Sequence, residues 1–142
     1  MIVIIAGSKS CKDEKIIEEA ILQGIEKLDI KPKTFIHGNT PGVDVIGGKI
    51  CKKMGYNVIS YPAKWKDIKG KPESEIKENN YGKYWVKAGF ERNQKMADSA
   101  DALIAINLGT GGAEDIIQKA TKAGLKIYTY EPESEECFGF DF

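Results

Sequence analysis

Arg92 is the only arginine in a chain of 142 residues whose other permanently charged basic side chains are all lysine. Where any cation serves, this sequence uses Lys. At one place it keeps a flat, permanently charged fork of donors, the geometry suited to phosphate or carboxylate. Asn93 follows and adds an amide donor and acceptor, and Gly89, three residues earlier, lets a ligand or another backbone come close. A lone Arg also serves as a structural ion pair, so two roles are open for Arg92.

Glycine-rich stretches follow the apolar runs of the chain: Gly7-Ser8-Lys9, Gly38-Asn39-Thr40-Pro41-Gly42 and Gly109-Thr110-Gly111-Gly112. Glycines let backbone N–H groups approach an anion, and each stretch leads towards a helix N-terminus, which attracts negative charge. Ser8, Thr40 and Thr110 can add hydroxyl donors, and Lys9 can add charge. None of the three is a Walker A sequence or a full dinucleotide fingerprint, and one such turn alone is ordinarily just a tight turn. Three of them with Arg92 point to an anion-binding edge.

Other side chains carry paired readings. Asp44, at the start of a predicted helix, is a capping carboxylate or an acceptor for a ribose hydroxyl. His37, the one histidine, plugs a strand end or acts as a base. Trp65 anchors its segment or stacks on a base. Glu91, Glu114 and Asp115 are the carboxylates nearest the expected pocket. They are the catalytic candidates if the protein is an enzyme, and helix-dipole or surface charges otherwise. Cys11, Cys51 and Cys137 are widely spaced and odd in number, which predicts reduced thiols and neither a disulfide framework nor a zinc motif. No metal or cofactor is expected.

The elements that must position these residues alternate. Ile2 to Ala6 is a continuous β-branched run, read as a buried parallel strand. Asp13 caps a helix with Ile17, Ala20, Ile21, Gly24, Ile25 and Leu28 on one face. A second strand over 34–36 leads to a helix over 43–54, and a third strand spans 57–61. A helix over 86–99 carries Arg92 and is expected to bury Phe90, Met96 and Ala97. Strands over 102–106 and 125–130 flank a helix with Ile116, Ile117 and Ala120. Residues 64–84 break the rhythm. They are polar and too long for an ordinary connection, and read as a mobile excursion bounded by Trp65 and Trp85: a surface loop or a lid over a ligand.

This alternation predicts an α/β, Rossmann-like three-layer sandwich with a mostly parallel five-stranded sheet and helices on both faces. With predicted strands in order 3-2-1-4-5, the glycine stretches lie at the carboxyl edge, where such sheets bind ligands. One domain is expected over 1–130 with a lid-like insertion at 64–85, followed by an acidic-aromatic tail over 131–142. The charges balance, 21 basic against 21 acidic residues, which argues against a general nucleic-acid or membrane surface. The apolar start, 1–6, is too short for a membrane span or a signal sequence, so a cytoplasmic protein is expected.

As an ordered set, these motifs resemble the SLOG superfamily. The set is Ala6-Gly7-Ser8, His37-Gly38 with Gly42-Val43-Asp44, Pro62-Ala63-Lys64-Trp65, Ala88-Gly89 with Arg92-Asn93 and Met96, then 100–105 and the last glycine-rich loop. It is most similar to the small single-domain branch related to YspA and cpYpsA proteins, over about residues 2–130. The resemblance implies a nucleotide or nucleotide-derived ligand, bound by Gly7, Ser8, Gly38, Asp44, Gly89, Arg92, Asn93 and Gly112. It also implies a homodimer, to which Phe138, Phe140 and Phe142 would contribute. Relatives include Lonely Guy phosphoribohydrolases, ligand-sensing domains and DNA-binding DprA proteins; balanced charge argues against the last role here. Two departures matter. Lys9 stands where the branch has Arg, and counting from either candidate Thr position puts Ala113 or Ile116 where the hydrolases carry their catalytic Glu. Glu114 and Asp115 are near but out of register. A sensing or sequestering module is therefore expected, with N-glycosidic hydrolysis or transfer on nucleoside monophosphates as the alternative.

Overall fold

The computed structural model describes residues 1–107 and 113–130. Gly109, Thr110, Gly111 and Gly112, and the tail over 131–142, lie outside the described residues.

Strand β1 (Ile2–Gly7) is the centre of the sheet, with Val3, Ile4 and Ile5 wholly buried. A β-branched run with no polar alternation suits a strand covered on both faces. Asp13 then opens α1 (Glu14–Leu28), accepting from the amides of Lys15 at 3.0 Å and Ile16 at 3.2 Å. After β2 (Thr34–His37), helix α2 (Val43–Lys53) begins at Gly42, whose φ of 88° only glycine adopts readily. The remaining elements are β3 (Asn57–Ser60), a hairpin of β4 (Ile76–Asn79) and β5 (Gly82–Trp85), α3 (Ala88–Ser99), β6 (Ala102–Ile106), α4 (Glu114–Lys122) and β7 (Lys126–Tyr130).

The main sheet is five-stranded and parallel, in the order β3-β2-β1-β6-β7. This is the expected 3-2-1-4-5 order once the hairpin strands are counted. Ile5, Ile17, Ile21, Phe35 and Ile50 fill the core beneath α1 and α2; Ile4, Ile36, Met96, Leu103 and Ile116 fill the core beneath α3 and α4. The topological switch lies between β1 and β6.

The excursion is built rather than loose. A short 3-10 turn at Glu73–Glu75 leads into the antiparallel hairpin, registered Ile76 to Trp85. Trp85 is 8% exposed, its indole donates to Glu75 Oε1 at 3.0 Å, and Lys71 Nζ sits 4.1 Å from the ring centre. The Trp85 amide donates to the Trp65 carbonyl at 2.7 Å. The pairing escaped notice in the sequence because its strands, Ile-Lys-Glu-Asn and Gly-Lys-Tyr-Trp, lack an apolar alternation.

Cys51 is a free thiol, wholly buried, and burial pushes its pKa up to about 12. Cys11 is disulfide-bonded, which corrects the expectation of reduced thiols throughout. Among the described residues no helix is long and apolar enough to cross a membrane.

Candidate functional site

The β2–α2 connection carries the first half of the site. Asp44 is 6% exposed in the first turn of α2, and its Oδ2 accepts from the amides of Gly38 at 3.0 Å and Thr40 at 3.4 Å. The Gly7 amide adds a further bond. Burial is the larger influence and raises the Asp44 pKa to about 6, against the opposing pull of these amides and of the Arg92 charge. The carboxylate therefore closes a knot between the loops after β1 and β2. Amides of Gly7, Gly38 and Thr40, read from sequence as phosphate donors, already serve Asp44. Asp44 caps no amide of α2, which has no side-chain cap; its carboxylate braces the loops that precede the helix, and that enclosure leaves little room for a ribose hydroxyl.

His37 is also buried, 7% exposed, beside Gly48 of α2. Its Nδ1 accepts from the Asn39 amide at 3.0 Å, and burial, then the Arg92 charge, lowers its pKa. A neutral ring that braces its own strand end is the role this geometry gives it.

Arg92 reaches across from the first turns of α3. Nη1 donates to the carbonyls of Gly38 and of Tyr61, the latter at 3.3 Å, and Nε donates to Asn93 Oδ1 at 2.8 Å. One fork thus ties the ends of β2 and β3 to α3. A Cβ on Gly38 would land on the guanidinium, so a side chain there would have to push the fork off the Gly38 carbonyl. Partial burial lowers the Arg92 pKa, and the charges of Asp44 and Asp115 oppose that shift. Nη2 makes no hydrogen bond among the described residues. It lies about 3.7 Å from where a Cβ on Gly89 would stand, and Trp65 Cη2 comes to 3.3 Å of that point.

Two adjoining cavities open here, beyond the carboxyl ends of the strands. One, about 350 Å³, is lined by Lys9, Gly38, Asn39, Thr40, Trp65 and Arg92, with Pro41, Pro62 and Ala63. The other, about 450 Å³, is lined by Lys9, Trp65, Val86, Gly89, Phe90, Asn93, Glu114 and Asp115. Lys9 and Trp65 line both. Trp65 is 45% exposed and meets Tyr84 of the hairpin edge-on, ring centres 6.4 Å apart.

The structure brings together Lys9, Gly38, Asn39, Thr40, Trp65, Gly89, Arg92, Asn93, Glu114 and Asp115. Gly7, Ser8 and Asp44 lie buried behind them; Ser8 is 2% exposed and its carbonyl receives the Val43 amide at 3.3 Å. Glu91 lines neither of these two cavities; it pairs with Lys95 at 3.2 Å and lines a third that also takes in Pro62, Ala63 and Arg92. Asp115 is held by Asn93 Nδ2 at 3.0 Å and by Lys119 at 2.6 Å. Glu114 is exposed at the α4 N-terminus, which has no side-chain cap.

Two residues of the cleft were missed. Phe90 was assigned to the core but is 52% exposed, because α3 turns it towards the cleft rather than the sheet. Lys119 was not singled out, although its i,i+4 spacing from Asp115 is a readable signal.

No family model matches the chain, and no curated protein matches it. Among solved structures the chain is similar to DNA processing protein A (DprA) from Streptococcus pneumoniae, with a TM-score of 0.63 and 17% identity over 96% of this chain and 52% of that one. The chain therefore spans about half the length of that protein. At this identity the likeness shows the fold alone, a DprA-like, Rossmann-like α/β domain.

Proposed function

We propose that the chain binds a nucleotide or nucleotide-derived small molecule in the cleft beside the β1/β6 switch point, and senses or sequesters it. The observation that carries this is Arg92. Its Nε and Nη1 are fixed by the protein, while Nη2 has no protein partner among the described residues and lies near Gly89 and Trp65, and Lys9 lines the same cavity as Arg92. A pre-oriented guanidinium donor, a flexible ammonium and an exposed indole suit a phosphate joined to a stackable base. The motif order resembling the small SLOG branch supports the same ligand class. Phosphate contact rests on Arg92, Lys9 and the outward side of the Asn39-Thr40 turn, because the inward amides serve Asp44.

N-glycosidic hydrolysis is the second reading, and one observation favours it. Glu114 and Asp115 line the same cavity as Trp65. Asp115 is already held by Asn93 and Lys119, which leaves Glu114 as the carboxylate best placed to meet a ligand.

One experiment separates the two. The protein is incubated with nucleoside monophosphates, ADP-ribose and cyclic derivatives, and free and heat-released fractions are read by mass spectrometry. Intact compound recovered on denaturation, and lost in Arg92→Gln, is the expected result. Free base with ribose phosphate, abolished in Glu114→Gln, would establish the hydrolase. No retention and no turnover across the panel would refute both.

A further inference from the structure

The cleft is bipolar. Arg92 lines one cavity, Glu114 and Asp115 line the other with Trp65 and Phe90 on its walls, and Lys9 lines both. At the acidic end the protein has seated a cation of its own. Lys119 Nζ lies 2.6 Å from Asp115 Oδ1 and 5.3 Å from the centre of the Phe90 ring. An ammonium held between a carboxylate and an aromatic ring shows what charge that end favours. Lys119 sits on a flexible four-carbon stem, so the seat can be yielded to a competing cation. Glu114 makes no ion pair among the described residues and adds a second negative charge at the rim.

We infer that the ligand of this cleft is a mononucleotide whose base is positively charged, with its phosphate at Lys9 and Arg92 and its cationic ring between Trp65 and Phe90 beside Glu114. The inference rests on the nucleotide reading above and narrows it to one class of base. A neutral base gains only stacking between the two rings. A cationic ring gains attraction to both π faces and to Glu114 as well. Added negative charge on the base is disfavoured for the same reason.

The test compares three probes by calorimetric titration at low salt: nicotinamide mononucleotide, whose pyridinium is cationic; nicotinic acid mononucleotide, which adds a carboxylate to that ring; and adenosine monophosphate, whose base is neutral. The expected result is nicotinamide mononucleotide bound at least 10-fold more tightly than either of the others. Glu114→Gln should bring that ratio down several-fold and Lys119→Gln, which removes the competing ammonium, should raise it. Equal affinity for all three probes, or a ratio indifferent to both substitutions, overturns the cationic-base inference and leaves nucleotide binding standing. Binding of none of the three overturns both.

Discussion

Arg92→Lys separates charge from geometry at the centre of the site. Among the described residues Arg92 makes three hydrogen bonds, to the Gly38 carbonyl, the Tyr61 carbonyl and Asn93 Oδ1. A lysine keeps the charge, but one ammonium on a straight stem can satisfy about one of these directions. Hydrogen bonds from a charged donor contribute roughly 1.5–3 kcal/mol each, less where solvent reaches them. Loss of two should destabilise the fold by about 2–4 kcal/mol, a large part of the roughly 5–15 kcal/mol typical of a domain. The assay is urea unfolding followed by far-UV circular dichroism. With a slope of about 2 kcal/mol/M, the midpoint should fall by about 1–2 M at unchanged slope. A midpoint shift below about 0.3 M would refute the clasp: the ends of β2 and β3 would then be held without the fork, and Arg92 would matter for ligand alone.

Three further outcomes follow from the same geometry. Gly38→Ala should cost about 1–3 kcal/mol by driving a methyl into the Arg92 guanidinium, and in the double variant with Arg92→Lys the two losses should overlap rather than add; a strictly additive double mutant would contradict this. Asp44 has a folded pKa of about 6 against 3.8 in the unfolded chain, so its contribution to stability is fully present below about pH 3.8 and is lost as pH rises through 6, by about 3 kcal/mol in total. His37, with its pKa lowered in the fold, acts in the opposite sense on acidification, so the Asp44 share is read as the difference between parent and Asp44→Asn unfolding curves across pH 4–7; parallel curves would dismiss it. Cys51, buried with its thiol pushed up to about 12, should resist alkylation at neutral pH until the domain unfolds, and rapid labelling of its peptide under native conditions would show the site opens locally.

Much of the positional logic was legible in one sequence. Continuous β-branched runs such as Ile2 to Ala6 can only be strands covered on both faces, and short connections through amphipathic helices force those strands to be parallel. That places the turn after each strand on one edge, and it is why Lys9, Gly38, Thr40 and Arg92 could be grouped before any coordinates. Phe90 was less legible, since an aromatic two residues into a helix gives no sign of which way the first turn will face. The β4–β5 hairpin was invisible for a different reason: its stability comes from Trp85 against Lys71, Glu75 and the Trp65 carbonyl, contacts between residues 10 to 20 positions apart.

The sequence by itself determined the sheet, its order, and which loops share the ligand-facing edge, because those follow from periodicity and the handedness of chain connections. Only the tertiary structure decided how each polar group on that edge is used. Asp44 takes amides that the sequence offers to an anion, and Arg92 commits Nε and Nη1 to protein acceptors while Nη2 has none among the described residues. Such choices depend on which donors come within about 3 Å of which acceptors once the helices have packed, and hydrogen bonding falls away steeply beyond that distance. A linear pattern can say that donors and acceptors will meet at an edge. Pairing them requires angles and separations that only the packed chain possesses.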